Sequence, residues 1–231
     1  MKPFGDRRGQ RVSSVSQSVY GVEIPAGPVE LEGILSVPPK ARGIVLFAHG
    51  TGSGRFSPRN QHVAEIIQQA GIATLLLDLL TGPESRDPNY VFDVALLAER
   101  LRAATAWTRA HDKTRGLAVG YFGASTGAGA ALVVAADEGN RLGAVVSRGG
   151  RPDLAGPALS RVTAPTLLIV GGNDEAVVQL NQLAFDQLKA VKQLVVVPGA
   201  THLFEEPGTL DEVARLATTW FDHYLQSQLR A

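Results

Sequence analysis

A serine among small residues stands out in the segment GYFGASTGAGAAL at positions 120–132. Its central residues GASTG fit the pattern G-x-S-x-G, in which glycines two positions before and after the serine leave room for a sharp strand-to-helix turn. An apolar run precedes the segment and an alanine-rich, helix-favouring run follows it. The pattern predicts that the turn exposes the hydroxyl of Ser125 as a nucleophile. The alternative is ordinary glycine-rich packing between a strand and a helix.

A serine nucleophile needs a base to take its proton and a carboxylate to orient that base. In a parallel α/β sheet the expected chain order is serine, acid, histidine. His202 lies in GATHLF after the apolar run QLVVV, and Asp174 lies in GGNDEAV after TLLIV. We predict His202 as the general base and Asp174 as the acid. Asp153, which follows the run GAVVS, is the alternative acid.

Catalysis of acyl transfer also needs backbone N–H groups that stabilise the oxyanion. Thr126, directly after the predicted nucleophile, is expected to supply one such group at a helix start. Thr51, in the segment HGTGSGR after the run GIVLF, is expected to supply the other, with Gly52 as the alternative donor. His49 of the same segment is interpreted as a brace for this loop. Asp78 precedes the nucleophile in the chain and is interpreted as a helix cap or a supporting residue.

The order of elements predicts the fold class. An alternating hairpin at positions 20–37 precedes short, nearly continuous apolar runs, which are typical of parallel strands covered on both faces. Helical stretches are predicted between these runs, at about 59–70, 90–109, 126–137, 177–190 and 210–228. We predict a mostly parallel central sheet of about eight strands flanked by helices, with an antiparallel edge and no large cap domain. A single domain is expected over residues 19–231, after a polar N-terminal tail at 1–18.

Composition excludes several kinds of function. Among 231 residues, 22 Lys and Arg balance 22 Asp and Glu, so the net charge favours a small neutral ligand over nucleic acid. The chain contains no cysteine, which excludes thiolate metal sites and cysteine nucleophiles. The most apolar window, GIATLLLDLL, is about half the length that crosses a bilayer. The N-terminus has no apolar run after its basic residues, as a secretory signal would require. We therefore expect a cytoplasmic protein that is not bound to a membrane. We also expect a monomer or a homodimer.

Cofactor binding is not indicated by the glycine-rich segments. HGTGSGR lacks the Lys-Ser/Thr ending of a phosphate-binding loop, and GYFGASTGAG lacks the spacing of a dinucleotide-binding turn. No H-E-x-x-H motif or clustered histidine pair indicates a metal. We therefore predict neither a cofactor nor a metal.

The four segments HGTGSGR, GASTG, GGNDEAV and GATHLF, in this order after apolar runs, resemble the α/β-hydrolase superfamily. The resemblance covers the chain from about Tyr20 to the C-terminus. The run RFSPRNQHVAEIIQQAGIATLLLDLL and the later SRGGRPDL are similar to dienelactone-hydrolase-like proteins of bacteria. True dienelactone hydrolases use a cysteine nucleophile, and this chain has Ser125 at that position. The resemblance therefore implies a serine esterase.

Substrate selection is expected to depend on loops around the serine. Only a short segment separates the run that ends near Ser147 from the one that begins near Pro165, which predicts a shallow, open site. Arg55 and Arg148 are candidate substrate-binding residues, and Arg59 and Arg151 could join them around the opening to attract a carboxylate.

The sequence thus predicts a serine hydrolase that cleaves small acyl esters through an acyl-enzyme. Lactone, thioester and peptide hydrolysis by the same triad remain alternatives, as does a non-catalytic binding protein of the same fold.

Overall fold

The computed structural model describes residues 18–50 and 52–228, without the side chains of residues 227 and 228. Strands and helices alternate along most of this range. The strands are β1 (Ser18–Ala26), β2 (Val29–Val37), β3 (Gly43–Ala48), β4 (Ala73–Leu77), β5 (Ala118–Ala124), β6 (Leu142–Arg148), β7 (Thr166–Gly171) and β8 (Lys192–Val197). The helices are α1 (Pro58–Gln69), α2 (Pro88–Val91), α3 (Val94–Ala110), α4 (Thr126–Glu138), α5 (Glu175–Gln187) and α6 (Thr209–Gln228).

All eight strands form one sheet in the order β1-β2-β4-β3-β5-β6-β7-β8. Strand β2 pairs antiparallel with both of its neighbours, β1 and β4. The remaining neighbours in this order, from β4 through β3 to β8, pair parallel. The predicted fold class is confirmed. The chain runs outward from β3 to β4 and then returns to β5 on the other side of β3. Ligands bind at such reversals in open α/β sheets, beyond the carboxyl ends of the strands.

Two apolar layers hold the helices against the sheet. Strands β3 to β7 are buried at every position, which explains why their sequences are apolar runs rather than alternating patterns. Residues of α3 and α4 pack on one face, and residues of α1 and α6 pack on the other. The central strands are thereby fixed on both sides, so the loops at their carboxyl ends start from rigid positions.

The structure differs from the predicted helix at 90–109. This stretch contains the short α2 and then α3, separated at Phe92 and Asp93. The Asp93 carboxylate accepts a hydrogen bond from the Leu96 N–H at 3.0 Å, and this N-cap starts a new helix. The predicted long helix was wrong because the capping preference of Asp93 was not considered.

The segment between β6 and β7 is short, as the sequence predicted. Its residues Pro152–Arg161 form 3₁₀ turns with a kink at Gly156, where φ is +50°. Strand β1 begins at Ser18, the last residue of the predicted tail, and residues 1–17 lie outside the described part of the chain. Within the described residues, no helix is both long and apolar enough to cross a membrane.

The first turn of α4 lies unusually close to the end of β3. A Cβ atom built on Gly127 would lie 2.1 Å from the carbonyl oxygen of Ala48. Real Cβ atoms do not approach a backbone oxygen so closely, so only glycine allows this contact. The second glycine of G-x-S-x-G therefore brings the predicted nucleophile turn against the loop after β3.

We predict that Gly127→Ala destabilises the protein by about 2–3 kcal/mol, because the added methyl group forces the backbone apart. Without this contact the change would be stabilising, since alanine favours a helix over glycine by about 1 kcal/mol. Gly21→Ala in β1 is the control, because no atom lies within 4 Å of a Cβ there. Urea unfolding of both variants measures the difference, and a Gly127→Ala protein as stable as the wild type would contradict it.

Candidate active site

Ser125 lies at the point where β5 ends and α4 begins. Its φ of +50° and ψ of −127° are rare for a residue with a side chain. The carbonyl oxygen of Ser125 accepts hydrogen bonds from the N–H groups of Ala128, at 3.1 Å, and Arg151, at 2.9 Å. A Cβ built on Gly50 would lie 3.2 Å from Ser125 Oγ and 2.6 Å from its Cβ, so the loop after β3 also touches the serine. Two hydrogen bonds thus hold the backbone of Ser125 at the sheet edge, and the loop after β3 contacts its half-buried side chain.

His202 and Asp174 meet beyond the ends of β8 and β7. Nδ1 of His202 lies 2.6 Å from Oδ2 of Asp174, a short hydrogen bond that leaves Nε2 as the other ring nitrogen. The two loops are also joined by the Asn173 side chain, which donates to the Gly199 carbonyl at 2.9 Å. Gly149, after β6, lies against the same histidine, since a Cβ there would be 3.6 Å from His202 Nδ1.

The alternative acid has a different partner. Asp153 accepts two hydrogen bonds from the Arg151 side chain, at 2.8 Å and 2.7 Å. This bidentate pair uses both of its carboxylate oxygens. Of the two acids considered from the sequence, the structure brings Asp174 to His202.

Thr126 is the first residue of α4, so its N–H has no acceptor within the helix. The residue is buried, and its hydroxyl oxygen has no hydrogen-bond partner among the described residues. With His49, Gly50 and Gly52 it lines a mainly apolar cavity of about 30 Å³, whose remaining lining is Ser53, Leu80, Ser85, Val91 and Leu97. Thr51, the other predicted oxyanion donor, lies outside the described residues. A small apolar cavity therefore lies beside the available N–H.

The loop after β3 is tied to the end of β4 through Asp78. The carboxylate accepts the Arg55 backbone N–H at 2.7 Å and pairs with the Arg55 guanidinium. His49 donates from Nδ1 to the Gly50 carbonyl at 3.0 Å, and its Nε2 lies 3.4 Å from Asp78 Oδ1. Burial acts to raise the pKa of Asp78, but the interactions with His49 and Arg55 outweigh it and lower that pKa below its ordinary value. These contacts agree with the interpretation of His49 as a brace.

The four arginines considered from the sequence have different surroundings. Arg55 also pairs with Glu32 at 2.7 Å, so two carboxylates of the chain already neutralise it. Arg151 is paired with Asp153, and Arg59 with Glu205 at 3.2 Å. Arg148 is 5% exposed, and its Nε and Nη1 atoms have no hydrogen-bond partner in the part of the chain that the structure describes. The sequence alone did not distinguish these cases, because the partners of Arg55 and Arg59 and the burial of Arg148 depend on residues that are distant in the chain.

The described residues contain no group of three or more His, Cys, Asp or Glu side chains that could hold a metal ion. The carboxyl ends of β5, β7 and β8 lie at the same edge of the sheet, and they bring there Ser125 with the Thr126 N–H, and the His202–Asp174 pair. This set can move a proton and stabilise an oxyanion, which are the requirements of acyl transfer.

A curated protein with a related sequence is much longer than this chain. A protein of Mycobacterium tuberculosis, provisionally named as a phosphoribosyl transferase, is 61% identical over 203 residues. The match covers 87% of this chain and 46% of that protein, so the chain spans about half the length of this curated relative.

Solved structures agree with the fold. A crystal structure of a dienelactone hydrolase from Anabaena variabilis is 57% identical, with a TM-score of 0.88 over 90% of this chain and 99% of that one. Est1E of Butyrivibrio proteoclasticus has a TM-score of 0.75 over 88% of this chain and 98% of its own, at 17% identity, which supports the fold alone.

The sequence profile of the dienelactone hydrolase family matches residues 31–225, nearly the whole described sheet and its helices. Together with the topology and the Anabaena structure, this match shows that the chain belongs to the dienelactone hydrolase family, with the α/β-hydrolase fold.

Proposed function

We propose that the protein is a serine hydrolase that cleaves small acyl esters through a covalent acyl-enzyme. The observation that carries this proposal is the pairing of His202 with Asp174 at 2.6 Å, at the same edge of the sheet as the strained turn of Ser125. Membership of the dienelactone hydrolase family supports hydrolase activity in general. Choice of the ester bond is our inference from the serine nucleophile and the small cavity at Thr126.

In the proposed mechanism, Ser125 Oγ attacks the acyl carbonyl carbon while Nε2 of His202 takes the hydroxyl proton. Asp174 holds the other ring nitrogen and stabilises the imidazolium. The carbonyl oxygen becomes an oxyanion, which the Thr126 N–H stabilises together with a donor from the loop after β3. His202 then gives its proton to the departing alcohol. Water, activated by the same histidine, attacks the acyl-enzyme and releases the carboxylic acid.

The transferase name of the M. tuberculosis relative does not enter this proposal. The chain aligns with less than half of that protein, so the name can describe the part that lies outside the alignment. Lactones and thioesters remain alternative substrates, because attack on either uses the same nucleophile, base and oxyanion donors.

Replacement of the nucleophile gives the first test of the activity. Ser125→Ala is expected to reduce ester hydrolysis by about 10⁶-fold, because it removes the proposed attacking oxygen. It is also expected to abolish labelling by a fluorophosphonate, detected by mass spectrometry. The wild type serves as the labelled control. A Ser125→Ala protein that is labelled at another serine and keeps most of its rate would assign the reaction elsewhere.

The acid is tested by comparing two carboxylates. Asp174→Asn is expected to lower kcat by about three to four orders of magnitude, because the amide cannot hold the required histidine tautomer. Asp153→Asn is the matched control, since this residue pairs with Arg151 and not with His202. Initial rates with p-nitrophenyl acetate measure both. A larger loss for Asp153→Asn would exchange the two roles.

Acyl-chain length tests the cavity beside Thr126. Short acyl esters, from acetyl to hexanoyl, are expected to react faster than lauroyl esters, because a cavity of about 30 Å³ covers few methylene groups. Each covered methylene contributes only about 0.8 kcal/mol.

We expect Leu97→Ala to enlarge the cavity and to raise the kcat/KM ratio of butyryl to acetyl ester by about fivefold.

Leu101→Ala is the control for this comparison. Leu101 is equally buried and lies one turn further along α3, but it does not line the cavity. A p-nitrophenyl ester series below the micelle limit gives the ratios. The cavity is not the acyl site if both variants change the ratio equally or if kcat/KM rises steadily up to the lauroyl ester.

A further inference from the structure

Arg148 is a buried cation with two guanidinium nitrogens that lack a hydrogen-bond partner among the described residues. It ends strand β6 and is 5% exposed, and both its Nε and its Nη1 are enclosed without an acceptor in the described part of the chain. Burial, with a smaller effect from the charge of Arg59, lowers the pKa of Arg148 to about 10. The guanidinium therefore still carries its proton at neutral pH. A protein interior normally surrounds such a charge with carboxylates or carbonyls.

The surroundings of Arg148 add further positive charge. Residues alternate between the faces of a strand, so its side chain lies on the same face as Val146, which packs in the layer with α1 and α6. Arg59, in the first turn of α1, is the neighbouring charge, and its Nε is also enclosed without a partner. That turn contains no acidic residue, and the Ser57 side chain does not cap it. The positive end of the helix dipole adds to the two guanidinium groups.

Glu205 provides the only carboxylate that the described contacts give to either arginine. It accepts a single hydrogen bond from Arg59 Nη1 at 3.2 Å, and 63% of its side chain is exposed. Exposed ion pairs of this kind are weak and exchange readily with ions in solution. Its position shows that a carboxylate can reach Arg59 from the solvent side. The ion pair with Glu205 leaves the enclosed Nε of Arg59 and the enclosed Nε and Nη1 of Arg148 without an acceptor among the described residues.

We propose that Arg148 and Arg59 bind an oxyanion, a phosphate or a carboxylate, between the first turn of α1 and the loop that carries His202. The ligand accepts hydrogen bonds from both guanidinium groups and displaces Glu205 from Arg59. Arginine suits this task because its planar N–H groups match the oxygens of carboxylates and phosphates. The oxyanion is either a free ion or an acidic group of the substrate, and the second source rests on the proposed hydrolase function.

Binding there would act on the candidate active site. Glu205 follows His202 by three residues, and Gly149, directly after Arg148, lies against the His202 carbonyl at a Cβ distance of 3.0 Å. An anion that replaces Glu205 on Arg59 thus contacts the same loop that positions the proposed base. An acidic substrate group held there would lie beside His202.

Thermal unfolding tests the site without any assumption about catalysis. At constant ionic strength set with sodium chloride, inorganic phosphate is expected to raise the Tm of the wild type by about 3 °C, because it binds the folded state alone. Arg148→Met removes the uncompensated charge, so its Tm without phosphate should equal or exceed that of the wild type. Its response to phosphate should disappear. Arg59→Gln should weaken the response as well.

Arg215→Met is the control for these variants, because Arg215 is exposed on α6 and pairs only with Glu212 in the described contacts. It should respond to phosphate like the wild type. Equal responses in Arg148→Met and the wild type would mean a general salt effect and would overturn the proposal. If Arg148→Met does not fold, Arg59→Gln decides the result. Loss of the phosphate response there supports the proposal, and a full response overturns it.

Ester kinetics distinguish the two sources of the oxyanion. The probes are p-nitrophenyl acetate and mono-p-nitrophenyl succinate, whose acyl group carries an additional carboxymethyl unit. If the substrate supplies the anion, Arg148→Met should lower the succinate-to-acetate ratio of kcat/KM by at least about tenfold, and phosphate should compete with the succinate ester. Arg215→Met should keep the ratio.

A free ion instead leaves this ratio the same in wild type and Arg148→Met while the thermal response to phosphate is lost. An unchanged ratio together with an unchanged thermal response overturns the site. Failure of the proposed hydrolase function has a separate signature, since neither ester is then hydrolysed and no fluorophosphonate labelling occurs. The thermal comparison still reports on the site in that case.

Discussion

Ser125 is held in a conformation with φ +50° and ψ −127°, and the surrounding structure depends on keeping it there. A residue with a side chain loses of order 1–3 kcal/mol in such a region of backbone space. The buried strands on both sides of β5 and the close contact of Gly127 with Ala48 prevent the turn from relaxing. The strained conformation thus fixes the hydroxyl at the edge of the sheet, where the loops after β3, β6 and β8 meet.

The charged residues around this turn differ in how completely the chain neutralises them. Asp78 and Arg55 satisfy each other while they fix the loop that contains His49, so this pair is a structural tie between β3 and β4. Arg148 lies on the α1 side of β6, and its enclosed Nε and Nη1 atoms have no such partner among the described residues. A paired buried charge fixes a conformation, whereas an unpaired one costs free energy unless a ligand completes it. This contrast separates arginines that hold the loops from the one available to an external anion.

Much of the fold and of the candidate site could be predicted from the sequence, because both depend on local patterns. Apolar runs and helical stretches gave the sheet, and the positions of Ser125, Asp174 and His202 after strands gave the candidate triad. The break before α3 was missed because one capping residue outweighed a helical pattern. The pairing of Arg55 with Glu32 could not be predicted, because the two residues are far apart in the chain. The burial of Arg148 next to the charge of Arg59 could not be predicted for the same reason.

A serine at this position makes the orientation of the base more demanding than a cysteine would. A thiol is already partly ionised near neutral pH, but a hydroxyl must lose its proton as it attacks, so the histidine has to be in place at that moment. The loop of His202 is correspondingly constrained. The Thr201 N–H donates to Glu206 at 3.0 Å, and Phe204 is buried with φ +56°. These contacts fix both ends of the turn around His202, while Asp174 fixes its ring, so the proposed base needs little rearrangement to act.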